Sequence, residues 1–120
     1  MSDYINASRK SAHETPINEV VRALNDGLGA KMLAAMTQVD SEEIVAGWIN
    51  GEDLGPDAEA RLRGIYEVFL ILTSRDSVHT TRMWFVGTNP NLNYTAPALV
   101  IRDGRVNDAV AAAKTYSNNG

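Results

Sequence analysis

The chain has 120 residues, 44% of them apolar and 22% charged, with no cysteine and a formal net charge of −4. That length allows one domain or two very small ones and buries roughly two thirds of the unfolded surface, so the core needs no staple. Without cysteine, a disulfide framework, a thiolate nucleophile, Cys-type zinc and thiolate-held iron–sulfur clusters are excluded, and the acidic balance reverses the Lys/Arg excess of a typical nucleic-acid binder.

Two histidines argue against a metal-centred site, and no run of about 18 apolar residues is present to span a membrane. Met1-Ser2-Asp3-Tyr4 lacks a basic stretch followed by an apolar one, so no signal peptide and a cytoplasmic location are expected. Residues 1–14 carry no apolar period, which predicts a flexible N-terminal arm with His13 idle in it. Thr15-Pro16 predicts a helix start, a hydroxyl cap with Pro at the first helical position. Ile17, Val20, Val21 and Leu24 then give a helix over 17–26. Lys31 to Gln38 predicts a short helix with Met32, Leu33, Ala35 and Met36 inward. Val39-Asp40-Ser41 is a turn in which Asp40 or Ser41 caps the next helix, and Glu42 and Glu43 suit its dipole. That helix carries Ile44, Val45, Trp48 and Ile49 and ends at Asn50-Gly51, with Gly in the left-handed position.

Gly55-Pro56-Asp57 opens a longer helix over 57–73. Its first half is one-sided; from Leu62 through Ile65, Val68 and Leu72 it becomes apolar nearly all round, which implies burial on several sides or an interface. Arg75 to Phe85 predicts another helix, with Val78, Met83, Trp84 and Phe85 apolar. Residues 87–96 break the pattern, Pro97 starts a short helix through Ile101, and Asp103-Gly104 turns the chain. Val106, Ala109, Val110 and Ala113 place a last amphipathic helix over 105–116, with 117–120 fraying. No segment alternates with period two. The class read from the pattern is all-α, with seven short helices: a 1–14 arm, a 15–73 region with the long helix, and a 74–120 region.

Residues 31–50 fit a helix-turn-helix, in which the first helix needs a small residue at the crossing (Ala35) and the second buries apolar ones (Val45 and Trp48). An ordinary helical hairpin fits the same spacing. A reading helix would bring Gln38, Ser41, Glu42, Glu43, Ala46 and Gly47 toward base edges. Between Gly29 and Gly51, however, Lys31 faces Asp40, Glu42 and Glu43 alone, and carboxylates cannot supply the phosphate attraction that dominates affinity.

The stretch Trp84-Phe85-Val86-Gly87-Thr88-Asn89-Pro90-Asn91-Leu92, followed by Ala96-Pro97-Ala98-Leu99-Val100-Ile101-Arg102-Asp103-Gly104-Arg105-Val106 and then Val110 and Ala113, resembles the toxin-binding domain of Xre/MbcA/ParS-type antitoxins. In that family an aromatic helix end runs into an Asn-Pro-Asn-Leu type turn, a Pro-led short helix, a Gly-containing turn and a final helix, with an Xre-like helix-turn-helix upstream. The likeness covers residues 17–116. It implies a compact helical domain whose 74–120 region binds and neutralises a RES-domain toxin, an enzyme that consumes NAD, by covering its active-site entrance. It also implies autoregulatory binding of promoter DNA in some members. Carried over to this sequence, the toxin-binding candidates are Trp84, Asn89, Pro90, Asn91, Leu92, Pro97, Asp103, Gly104, Arg105 and Tyr116. The Glu42-Glu43 pair departs from the family pattern and weighs against promoter DNA more than against the toxin.

Each candidate also has a plain structural role: Asn89-Pro90 starts a turn, Pro97 opens a helix, and Trp84 packs a core. An enzyme is not expected. His79 lies on a predicted helix with no evident nucleophile, Glu42/Glu43 and Glu14/Glu19 read as solvated helix starts, and no Gly-rich phosphate loop follows a strand. No catalytic residue, metal site or cofactor is anticipated. The apolar end of the 57–73 helix suggests a homodimer. The alternative function is a DNA-binding transcriptional regulator, of host or phage origin, that reuses the antitoxin scaffold.

Overall fold

The computed structural model of the chain describes residues 3–119. Among them it is all-helical: α1 (Asp3–Glu14), α2 (Ile17–Leu28), α3 (Ala30–Thr37), α4 (Glu42–Ile49), α5 (Pro56–Thr73), α6 (Val78–Val86), a 3-10 turn (Pro90–Leu92), α7 (Pro97–Arg102) and α8 (Val106–Asn119). The fold is all-α, as the periodicity predicts, with one helix more than the seven read from it.

Helix α5 is the axis. Leu62, Ile65, Val68 and Ile71 recur every three residues and are fully buried. Against them lie Val20, Val21 and Leu24 of α2, Leu33 and Met36 of α3, Val45 and Trp48 of α4, Phe85 of α6, Ile101 of α7, and Ala109 and Ala113 of α8. Each large side chain buried this way contributes roughly 1.5–3 kcal/mol relative to exposure. The main core therefore runs from α2 to α8, and the 15–73 and 74–120 regions share it. The radius of gyration, 13.2 Å, is what a single compact domain of this length gives.

Helix α8 crosses α5 closely because position 64 is glycine: a Cβ there would lie 2.5 Å from Val106 Cγ2. The two helices then run in the same direction. Val106 sits at Gly64, Lys114 Nζ lies 3.8 Å from the Glu67 carboxylate, and the Arg75 guanidinium donates to the Ser117 carbonyl.

The N-terminal segment differs from expectation. Residues 3–14 are not a loose arm but helix α1, antiparallel to α5. Its contact stripe, Tyr4, Ser8 and Ala12, has the four-residue spacing of a helix face, but two of its members are small and one is polar. Ser8 and Ala12 are buried, and Ser8 Oγ returns its hydrogen bond to the Tyr4 carbonyl. Arg63 of α5 fastens the far end, its Nη1 donating to the carbonyls of Ala12 (3.0 Å) and Thr15 (2.7 Å) while Nε meets Glu59. His13 stands 3.8 Å from the buried Glu67.

Local starts and stops also shift. Helix α2 begins after Pro16, whose carbonyl accepts from Glu19 and Val20; the Thr15 hydroxyl does not cap it. Ser41 holds the N-cap position of α4 without a side-chain bond. Ala35 points to solvent, and Ala34, Leu33 and Met36 face inward instead. Helix α8 continues past 116, with Ser117 buried.

Candidate functional site

The Asn-Pro-Asn-Leu turn is built by its own first residue. Asn89 is buried, and its Oδ1 accepts from the Asn91 N–H at 2.9 Å. The Asn89 carbonyl then accepts from both Leu92 (2.9 Å) and Tyr94 (2.8 Å), and Thr95 N–H closes on the Leu92 carbonyl. Asn93 and Tyr94 take positive φ, 56° and 61°, to turn the chain toward Pro97. Leu92 moors the turn in a small second core with Val100 and Ala112, and Trp84 packs against it.

That mooring leaves a cleft of about 440 Å³ between residues 90–93 and the outer stripe of α8, Arg105, Asp108, Ala111, Ala112 and Thr115. Of the residues proposed to meet a toxin, Pro90, Asn91, Leu92 and Arg105 line this cleft. Asp103 and Gly104 are exposed in the turn beside it, with Gly104 at a φ of 91°. Arg105 and Asp108, both on the α8 side, lie 3.7 Å apart. Asn89 acts from beneath the turn, and Pro97 is buried at the start of α7.

Trp84 and Tyr116 form a separate group. Trp84 stands edge-on to Phe85 at 5.6 Å between ring centroids and tilted to Tyr116 at 6.4 Å. Its Nε1 is buried without a partner among the described residues. The Tyr116 hydroxyl donates to Asp76 Oδ2 at 3.2 Å. Partial burial, first, and then the charge and hydrogen bond of Asp76 raise the phenol above its ordinary value, against a smaller lowering by Arg75. Tyr116 is thus the exposed flank of a packed aromatic pair, not part of the cleft.

Three features escaped the motif. Residues 108, 111 and 115 of α8 complete the cleft wall; they are the complement of the inward Val106, Ala109, Val110 and Ala113 stripe and so follow from the same period. The outward face of α6 exposes His79, Arg82, Met83 and Val86. Tyr94 is 70% exposed. Among the described residues, six of the seven exposed large hydrophobics, Val78, Met83, Val86, Tyr94, Leu99 and Tyr116, fall in residues 78–116, which concentrates the apolar surface on one region. The charge divides the same way: residues 74–120 carry five Lys/Arg against three Asp/Glu, and residues 1–73 carry six against twelve.

The helix-turn-helix candidates are placed differently. Helices α3 and α4 pack through Val45 and Trp48, and Ser41, Glu42, Glu43 and Ala46 are exposed. Gly47 is buried under the folded-back Glu52, whose Oε2 would sit 2.6 Å from a Cβ, so it offers nothing to a base. Gln38 takes the left-handed position after α3 and donates its Nε2 to the Arg102 carbonyl, tying the turn to α7. At the apolar end of α5, from which a homodimer is expected, Val68, Ile71 and Leu72 are buried, while Phe69 and Leu70 are half-buried, Leu70 lining an open groove with Tyr4, Ala7 and Ser11 of α1. No helix is long and apolar enough to cross a membrane among the described residues.

Comparison with family models, curated proteins and solved structures finds no match to this chain.

Proposed function

We propose that the chain is an antitoxin-like interaction protein that binds and neutralises a RES-type, NAD-consuming toxin through its 74–120 region. One observation carries the reading: the Asn89–Leu92 turn that gives the sequence its antitoxin resemblance also supplies Pro90, Asn91 and Leu92 to the wall of a cleft, within the 74–120 segment that holds six of the seven exposed large hydrophobics among the described residues. Exposed apolar side chains beside a hydrogen-bonded turn suit contact with a protein partner. The chain works by occupation of its partner and carries no bond-making residue of its own.

Co-expression with a candidate RES-domain toxin tests the proposal. Rescue of growth and co-purification of the two are expected. Absence of both a complex and rescue refutes it. Regulation of its own promoter finds less support, because the exposed side of α4 presents Glu42 and Glu43.

A further inference from the structure

We infer that Tyr94 is the anchor of the partner interface, a side chain held outward to enter an apolar pocket with a polar group at its end on the partner. The inference rests on the reading above and names the residue and the pocket chemistry that reading leaves open. Three observations converge on it.

The first is conformation. Tyr94 has a φ of 61°, in the left-handed region where a side chain meets its own carbonyl and where Gly, Asn and Asp are the ordinary occupants. Its neighbour Asn93 follows that rule, and Tyr94 breaks it.

The second is rigidity. The Tyr94 N–H is bonded to the Asn89 carbonyl, Thr95 N–H to Leu92, and Asn91 N–H to the Asn89 side chain, while buried Asn89 and Leu92 hold the turn to the body. The ring cannot relax by moving the loop.

The third is exposure. At 70%, Tyr94 is the most exposed large apolar side chain among the described residues. Among the described residues its ring pairs with no other aromatic and its hydroxyl makes no hydrogen bond; the turn uses its backbone alone. Residues 90–93, immediately before it, wall the cleft, so a partner seated there meets Tyr94 at its rim.

A disfavoured backbone kept rigid around a projecting aromatic is pre-organisation: the ordering cost of binding is met in the free state. Tyrosine suits the role because it buries a large area with few rotors and carries a hydroxyl for the pocket's end. The apolar ring and single phenol define the receiving site as concave, apolar-walled and closed by one hydrogen-bonding group.

Tyr94→Asn separates the two roles of the position, since Asn accepts positive φ and removes the ring. Affinity for the RES-domain toxin used in the co-expression is measured by calorimetry for the full chain, Tyr94→Asn and Tyr94→Phe, with a thermal melt of each free protein. We expect Tyr94→Asn to melt at or above the parent temperature and to lose roughly tenfold or more in affinity, with Tyr94→Phe between the two. Parent-level binding by Tyr94→Asn overturns the inference and leaves the proposed function standing. A melt lowered by several degrees overturns it too, by making Tyr94 a structural residue. Failure of the parent chain itself to bind refutes the proposed function and the inference with it.

Discussion

Asn89 shows how one side chain can set a site without touching a partner. Its carboxamide is buried and makes the bond that caps the 3-10 turn, so the cleft wall depends on it. Asn89→Ala removes that acceptor and leaves the Asn91 N–H without its bond; a loss of about 1 kcal/mol is expected. The loss should appear as a lower melting temperature, with faster amide exchange confined to residues 90–95. Uniform exchange across the chain would contradict it. Tyr116 offers a second residue-scale test. Its raised phenol pKa means that the neutral form is favoured in the folded state. The stability it contributes is therefore fully present below the ordinary tyrosine value of about 10 and is lost as pH rises through the folded value. In an absorbance titration, Tyr116→Phe should remove a tyrosine component that ionises above the ordinary value. If the variant removes a component at the ordinary value, the packing of Tyr116 against Trp84 and Asp76 does not persist in solution.

The elements follow from the sequence where large apolar residues mark them and are missed where small ones do. Helices α2, α5 and α8 carry Leu, Ile, Val or repeated Ala at helical spacing, and their inward faces are those the period predicts; on α4, Val45 and Trp48 turn inward but Ile44 of the same stripe is exposed. Helix α1 shows only Tyr4, Ser8 and Ala12, a stripe without an apolar signal, and its anchor is Arg63, fifty residues away, which no local pattern reveals. Ala35 was read inward because an alanine has no preference of its own; the neighbouring crossing selects Ala34. The turn at 89–92 was legible from Asn-Pro alone, while the α8 side of the cleft required the helix to be docked first. That docking is testable at Gly64. A methyl group there would press on Val106, whose β-branched side chain has little rotamer freedom. Gly64→Ala is expected to destabilise by about 1–3 kcal/mol, and Val106→Ala in the same chain should recover part of the loss, seen as non-additive melts. Additive effects would mean that the α5–α8 crossing relaxes by sliding.

Across the whole molecule, charge and apolar surface separate. Among the described residues, all the exposed large hydrophobics but Ile44 lie in residues 78–116, where cations outnumber carboxylates, and the first 73 residues hold twice as many acids as bases. Within that acidic part, residues 32–60 contain seven Asp/Glu and no Lys or Arg, and Asp40, Glu42, Glu43, Glu52, Asp53 and Asp57 are exposed around α4. Binding to DNA draws most of its affinity from neutralising phosphates, a term that reverses sign when the approaching face is anionic. Direct bonding of a glutamate to cytosine N4 cannot replace it, because base contacts specify a site that phosphate contacts must first position. The exposed side of the α3–α4 hairpin therefore carries the charge of a surface that repels phosphates. A gel shift with the DNA upstream of its own gene, at low salt and micromolar protein, is expected to show no complex with the chain alone. Glu42→Lys with Glu43→Lys should then create binding that is indifferent to sequence and disappears as salt is raised. A shift by the unaltered chain that weakens with salt would place phosphates against a cationic face elsewhere, with the exposed Arg82, Arg102 and Arg105 of the 74–120 region as the surface to test next.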